Sequence, residues 1–413
     1  MDTSSGAATA GGSGRPDGVP HRDGGAGPQR GTRLTGVDAA RGLALTGMMA
    51  VHILPARDPV SYDPSLAWTL FSGRSAALFA LLAGVGLAFS TGGRRRHRGR
   101  TTTADGVGLV VRAALIAVLG LLLNTLLPDE APAYNILVYY GMFFLLALPF
   151  LHLPAAALGL LAAAAAVAGP VLVQLLRDDL PEPVSANPDL ADVLAEPGAV
   201  LAQLLLTGAY PALPYLAYLL AGLAIGRLDL SSRRVQGRLI GAGLAVTLSA
   251  WLTYRLLLVE GGGYARLLEA TPWMSEEQLD AVVLWGPNPD LPTTSWWWLL
   301  VPGPHSNTPV SVLEDLGTGM VALGVLLLVT RRAGAWLLPL VAMGSMTLTL
   351  YSAHLAGLSA MVHGSAPVLW FLVHLELAAL VAVLWRRSLG QGPLERVVGG
   401  AVRAARRAVL PEK

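Results

Sequence analysis

Apolar runs, each about the length of a bilayer-crossing helix, recur along the chain from residue 34 to residue 385. A hydrocarbon core about 30 Å thick takes ~20 apolar residues per helix. The runs fall at about 34–54, 67–90, 107–127, 134–151, 154–176, 204–226, 238–259, 309–330, 334–357 and 367–385. They predict an all-α, polytopic integral membrane helix bundle of about ten transmembrane helices. Charge content agrees, because 14% of the residues are charged where a soluble domain has roughly a quarter.

Arginine placement sets the expected orientation, since cytoplasmic loops carry the excess of basic residues. The stretch before the first run has Arg15, Arg22, Arg30 and Arg33, and the second connection reads GGRRRHRGR. Arg227, Arg233, Arg234 and Arg238 follow the sixth run, Arg331 and Arg332 the eighth, and Arg386 and Arg387 the tenth. With ten spans all of these fall on one side, so both termini are expected in the cytoplasm. The opposite connections are acidic or mixed. The longest, 260–308, contains Trp296, Trp297 and Trp298, which read as an aromatic belt at the outer interface.

The flanks differ from the spans. Residues 1–32 are rich in Gly, Ala, Pro and Arg and read as a disordered cytoplasmic tail. They lack the apolar region and small-residue cleavage site of a signal peptide. Residues 391–413 alternate apolar and basic residues at helical spacing, as an interfacial amphipathic helix does. There is no cysteine, which excludes disulfides, thiolate nucleophiles and cysteine metal sites. No metal-ligand spacing, Walker loop or dinucleotide fingerprint is present. A net charge of +2 gives no reason to expect nucleic acid.

The ionisable residues inside the spans carry the functional signal, because a charge in hydrocarbon costs about 3 kcal/mol on insertion scales. The first run, RLTGVDAARGLALTGMMAVH, places residues 38, 41, 45, 48 and 52 on one helical stripe. Asp38 and Arg41 are one turn apart and can pair. His52 follows ~21 Å further out. Such a stripe should face protein or a water-filled cavity. Arg74 falls in the outer half of the second span, beside small residues suited to close packing (Gly73, Ala76, Ala80, Gly84). His354 falls at the level of His52, and His305, Glu314 and Asp315 open the eighth span. Six polar residues thus converge on one level. Towards the other side, Arg112 and Arg41 could meet a cytosolic anion, although Arg112 equally suits a side chain snorkelling to headgroups. His374 and Glu376 sit within the tenth run with no partner legible in the sequence.

RLTGVDAARGLALTGMMAVH followed by FSGRSAALFALLAGVGLAF resembles the opening of the heparan-α-glucosaminide N-acetyltransferase family of membrane acyltransferases. YNILVYYG, YPALPYLAYLLAGLAIGRLDL, GSMTLTLYSAHL and GPLER look closest to its bacterial inner-membrane relatives of unassigned or transport-associated function. The resemblance covers roughly residues 33–400, with residues 33–390 as the acyltransferase-like domain. It implies that acetyl-CoA enters from the cytosol and that its acetyl group reaches an acceptor on the far side of a bacterial plasma membrane. It also implies a catalytic histidine in the outer region after the first span. The family has an asparagine where this chain has His52, the only histidine of that region here.

Acyl transfer needs a base near the acceptor and a donor to the oxyanion. His52 is the candidate base, Arg74 the oxyanion donor, and His305 and His354 the neighbouring catalytic candidates. Asp38, Arg41 and Arg112 are the candidates for guiding the acetyl-CoA donor. No metal is expected. The expected partners are membrane lipid, a small-molecule or glycan acceptor and, for assembly, a second copy in a homodimer. A transporter or export-associated protein using the same polar groups as a substrate path, and a non-catalytic membrane scaffold, stay open as alternatives.

Overall fold

The computed structural model describes residues 34–127, 133–288, 290–359 and 366–410; the expected tail over 1–32 lies outside them. Regular structure among the described residues is helical, apart from one isolated bridge between Arg57 and Pro64. The first run is α1 (Thr35–Ile53). The second is α2 (Leu66–Phe71) and α3 (Arg74–Ser90), hinged at Gly73, whose φ of 72° favours glycine. Then come α4 (Arg100–Asn124), α5 (Leu137–Ala147) and α6 (Ala155–Leu176). The short α7 (Leu190–Ala195) and α8 (Pro197–Ala202) precede α9 (Ala212–Gly226). After α10 (Arg233–Thr253) the long connection folds into α11 (Gly263–Ala270) and α12 (Glu276–Trp285). The chain closes with α13 (Pro309–Ala333), α14 (Leu338–Gly344), α15 (Thr347–Ser359), α16 (Pro367–Ser388) and α17 (Pro393–Val409).

Helices occupy all ten apolar runs. Six stretches among the described residues are long and apolar enough to cross a membrane, and a seventh arises if the pair Pro197–Thr207 and Ala212–Gly226, bent by 52°, counts as one. The remaining runs are α1, α5 and the α14–α15 pair. α1 carries three ionisable groups, α5 is only 11 residues long, and α14–α15 is broken after Gly344. Their place in the bundle accounts for this. α1 and α9 are buried along most of their length. By contrast, 11% of the most apolar window of α16 is buried and 17% of that of α10. Peripheral helices must match lipid on their outer faces; central ones need only match protein.

Small residues let the central helices meet. A Cβ at Gly84 or Gly222 would collide with the backbone of the other helix, so α3 and α9 cross in direct backbone contact. Gly344 likewise lies against the carbonyl of Asp38, fixing α14 on α1.

Hydrogen bonds sort the connections into two ends. At the arginine-rich end, Arg94 pairs with Asp229 at 3.4 Å, Arg96 donates to the His152 carbonyl at 2.7 Å and Arg331 to the Ser231 carbonyl at 2.8 Å. Arg227 is more than the loop charge its position suggested. It is buried and donates to the carbonyls of Ala88, Thr91, Gly93 and Leu151, tying the end of α3 to the connection after α5. α17 docks here as well, through Arg406 on Asp105 at 2.5 Å. Glu395, at its start, accepts from the amides of Leu348 and Thr349 at 2.8 and 3.2 Å and caps α15. The GPLER stretch thus has a local structural job.

At the arginine-poor end the 260–308 connection builds a core of its own from Leu258, Leu267, Leu279, Val282, Trp298 and Val301. The interface-anchor reading of the tryptophans fails for Trp298, which is fully buried there, while Trp296 is exposed and Trp297 stacks with Arg266. Truncating a buried tryptophan typically costs 3–5 kcal/mol. Trp298→Ala is therefore expected to loosen this cap and speed proteolysis within 260–301 while the bundle stays intact. An unchanged cleavage rate would show that something else holds the cap.

Candidate functional site

The α1 stripe faces protein, as its charges require: Leu45 and Met48 between its polar ends are 0% and 2% exposed. It links two polar regions, one at each end of the bundle.

At the arginine-poor end, His52 sits in the last turn of α1. Its Nδ1 lies 3.1 Å from Nε2 of His354 on α15, and the two rings stack at 7° with centroids 5.4 Å apart. Nδ1 of His354 lies in turn 2.9 Å from Nδ1 of His374 on α16, with those rings edge to face. The level match of His52 and His354 was legible from helical rise. The third member, His374, has no partner legible in the sequence; its only signal there is a polar residue in a very apolar helix.

Arg74 opens α3 and points at α13. Its Nη2 lies 2.5 Å from Glu314 Oε1 and its Nε 3.9 Å from Asp315 Oδ1, and Nη1 donates to the Thr69 carbonyl. The guanidinium offered to an oxyanion by sequence reading is taken up by two carboxylates. Its closest contact is with Glu314, whose charge it neutralises, while Asp315 lies alongside. Glu314 and Asp315 are not merely helix-end acids either, since both face Arg74.

His305 comes from the loop between the cap and α13. It has φ 56° and Asn307 has φ 52°, the left-handed region that non-glycine residues avoid and that clusters at functional sites. The loop is held by Thr308 Oγ1 on the Val301 carbonyl at 2.7 Å and Asn307 Nδ2 on the His305 carbonyl at 2.9 Å. Gly286 and Gly303 bring α12 and the 303–304 backbone into contact that a side chain would block. The ring meets Tyr210 edge to face at 5.5 Å. Burial pushes the His305 imidazole down to about 4, so it is neutral at pH 7. Its Nδ1 is buried with no hydrogen-bond partner among the described residues. His305 and His52 are close enough for their charges to interact. Gly73 adjoins both the loop and the carboxylates: a Cβ there would lie 3.6 Å from the His305 nitrogen and 3.2 Å from Asp315 Oδ2.

A cavity of about 690 Å³ opens at this end, with His305, Trp68, Tyr134, Trp285, Gln203 and Arg177 in its wall. That volume lies in the range that holds a small organic ligand. Arg177 pairs with Asp290 in the same wall.

At the arginine-rich end, Asp38 and Arg41 pair at 3.4 Å, as their spacing predicted. Arg41 reaches Gly86 of α3, where a Cβ would sit 3.0 Å from its Nη2. Arg112 on α4 meets no carboxylate and no hydrogen-bond acceptor among the described residues, and the charges that reach it are those of Arg41 and Arg406. Asp105, two turns away on the same face of α4, is fully buried and taken by Arg406 and by His97 at 2.7 Å. Arg406 was missed as a site neighbour because nothing in the sequence says which helix α17 lies against.

The fold and site define a polytopic helical membrane protein with a histidine-bearing cavity at one end and an unneutralised arginine at the other. Residues 33–259 match the model of the family heparan-alpha-glucosaminide N-acetyltransferase, catalytic, and the chain belongs to that family of membrane acyltransferases. No curated protein matches the chain. The matched segment holds Asp38, Arg41, His52, Arg74 and Arg112 and stops before His305, His354 and His374.

Proposed function

We propose that the protein transfers an acyl group, acetyl from acetyl-CoA, to an amine or hydroxyl of a sugar-like acceptor that approaches His52 from the 690 Å³ cavity, whose wall includes His305 but not His52 itself. The arginine-rich end then faces the cytoplasm of a bacterial plasma membrane, with both termini inside. One observation carries this reading. His52 has Nδ1 held by His354, while its Nε2 has no hydrogen bond among the described residues. That is a base oriented from behind with its reactive nitrogen left for a substrate.

The acceptor nitrogen or oxygen attacks the thioester carbonyl carbon. The new C–N or C–O bond forms, the C–S bond breaks, the thiolate leaves, and His52 Nε2 takes the acceptor's proton. His305, neutral and held in the cavity wall by the Ala209 backbone, gives the acceptor an uncharged face to pack against. At the other end Arg112, lacking an anion and flanked by Arg41 and Arg406, fits the phosphates of the donor, since guanidinium matches phosphate bidentately. Acetyl-CoA bound there supplies the activated acyl group. Asp38 holds Arg41 in place and does not itself bind an anion.

The test incubates the purified protein in nanodiscs with labelled acetyl-CoA and a panel of amino sugars. Label should move to an acceptor, and Arg112→Gln should raise the donor KM about tenfold or more, the worth of one charged hydrogen bond. If no acyl-CoA donates to any acceptor, while proteoliposomes take up a solute, the protein is a transporter.

A further inference from the structure

We infer that α17 is a strap that completes the donor site by bringing Arg406 to the phosphates that Arg112 meets. The inference rests on the acyl-transfer reading and deepens it. Donor binding then depends on a helix that lies outside the family-matched segment.

The strap is buckled at both ends. At its start, Glu395 accepts from the amides of Leu348 and Thr349 and, through Oε2, from the Thr349 hydroxyl at 2.6 Å. That hydroxyl accepts in turn from the Leu394 amide at 3.2 Å. From Glu395 to Arg406 the helix rises ~16 Å. There Arg406 meets the fully buried Asp105, and a Cβ at Gly108 would lie 3.1 Å from Arg406 Cγ and 3.2 Å from Val402 Cγ1. α17 thus rests directly on α4. Val398, Val402 and Ala405 are only half-buried, and no side chain of α17 is fully buried. Its hold is therefore the two polar buckles and a shallow apolar face. A basic amphipathic helix held this lightly has a second resting place on the membrane surface.

The position of the second buckle ties the strap to the donor. Arg112 follows Gly108 by one turn on the same face of α4, about 6 Å deeper into the bundle. A donor arriving at the arginine-rich end passes α17 before it reaches Arg112. Asp105 holds Nη1 of Arg406 at 2.5 Å, and its other oxygen is fixed by His97 at 2.7 Å. No acceptor besides Asp105 reaches the Arg406 guanidinium among the described residues. A guanidinium has five donors in a planar fork, so one edge stays on Asp105 while the other takes a phosphate. Arg112 and Arg406 then grip the donor's phosphates together. Asp105 acts through Arg406 and is a positioning residue.

The experiment uses the full chain in nanodiscs. The chain has no cysteine, so Gly108→Cys with Val402→Cys adds the only thiol pair, close enough for a disulfide. Oxidation should staple α17 to α4. Binding of coenzyme A and of its adenosine bisphosphate half is measured by calorimetry, which needs no acyl transfer. Without the staple, Arg406→Gln and Asp105→Asn should each weaken binding about tenfold or more. Arg403→Gln, which removes an exposed charge of the same helix, should leave binding unchanged. With the staple closed, Asp105→Asn should regain its affinity, because α17 stays docked without the carboxylate. Arg406→Gln should remain weak, because the phosphate contact itself is gone; a residue that merely packed α17 would be rescued. A staple that does not close, a closed staple that abolishes binding, or Arg406→Gln binding as tightly as the parent protein overturns the strap. If binding follows Arg406 but no acyl group moves, the strap stands and the acyl-transfer reading falls. If transfer proceeds and binding ignores Arg406, the reverse holds. A parent protein that binds neither probe removes the donor site and the strap with it.

Discussion

His52→Ala is expected to lower acyl transfer by about 10²–10⁴, the usual worth of a general base, while donor binding and thermal unfolding stay near those of the parent protein. The size follows from the role. His52 contributes one nitrogen to the reaction and one to His354, and removing it takes away the proton acceptor without touching the arginines at the far end of α1. His305→Ala is expected to act differently, through the acceptor KM, because His305 lines the cavity but its Nδ1 is sealed within the loop. Initial rates against acceptor concentration separate the two. If His52→Ala keeps its turnover and His305→Ala loses it, the base is on the loop and not on α1.

Arg74→Ala is expected to impair folding more than chemistry. It would leave Glu314 and Asp315 side by side without the cation that now meets both. The group is only partly buried, with side chains 17–32% exposed, so the uncompensated charge left behind costs less than the about 3–5 kcal/mol of a fully buried pair. The triple change Arg74→Gln, Glu314→Gln and Asp315→Asn removes all the charges together and should recover most of the lost stability, read as the thermal unfolding midpoint in detergent. Were Arg74 an oxyanion donor, Arg74→Ala would fold normally and the triple variant would be as inactive as the single one. A triple variant less stable than Arg74→Ala would also refute the charge-neutralising role.

The sequence by itself determined the helices and their lipid-exposed set, because hydropathy reports directly on what a helix's outer face meets. It also determined the interior stripe of α1. Asp38, Arg41 and His52 share one face by helical geometry alone, and a charge that cannot face lipid must face protein. The level of His354 against His52 followed from counting residues along two spans of opposite direction. What helical rise cannot give is rotation about the helix axis. Which way Arg74 points, and so whether it meets a substrate or the acids of α13, depended on how α3 turns against its neighbours. Close glycine contacts at Gly84 and Gly222 fix that turn. The same holds for His374, which joins the histidine chain only because α16 presents that face to α15. Non-local burial was equally out of reach. Trp298 lies in a short run of three tryptophans that reads as a membrane belt, yet two helices fold over it to make a separate core. Arg227 reads as one more topological charge, yet the fold sets the end of α3 and the Leu151 carbonyl around its guanidinium. Local pattern records what each residue needs, whereas only the packed chain decides which of its neighbours supplies it.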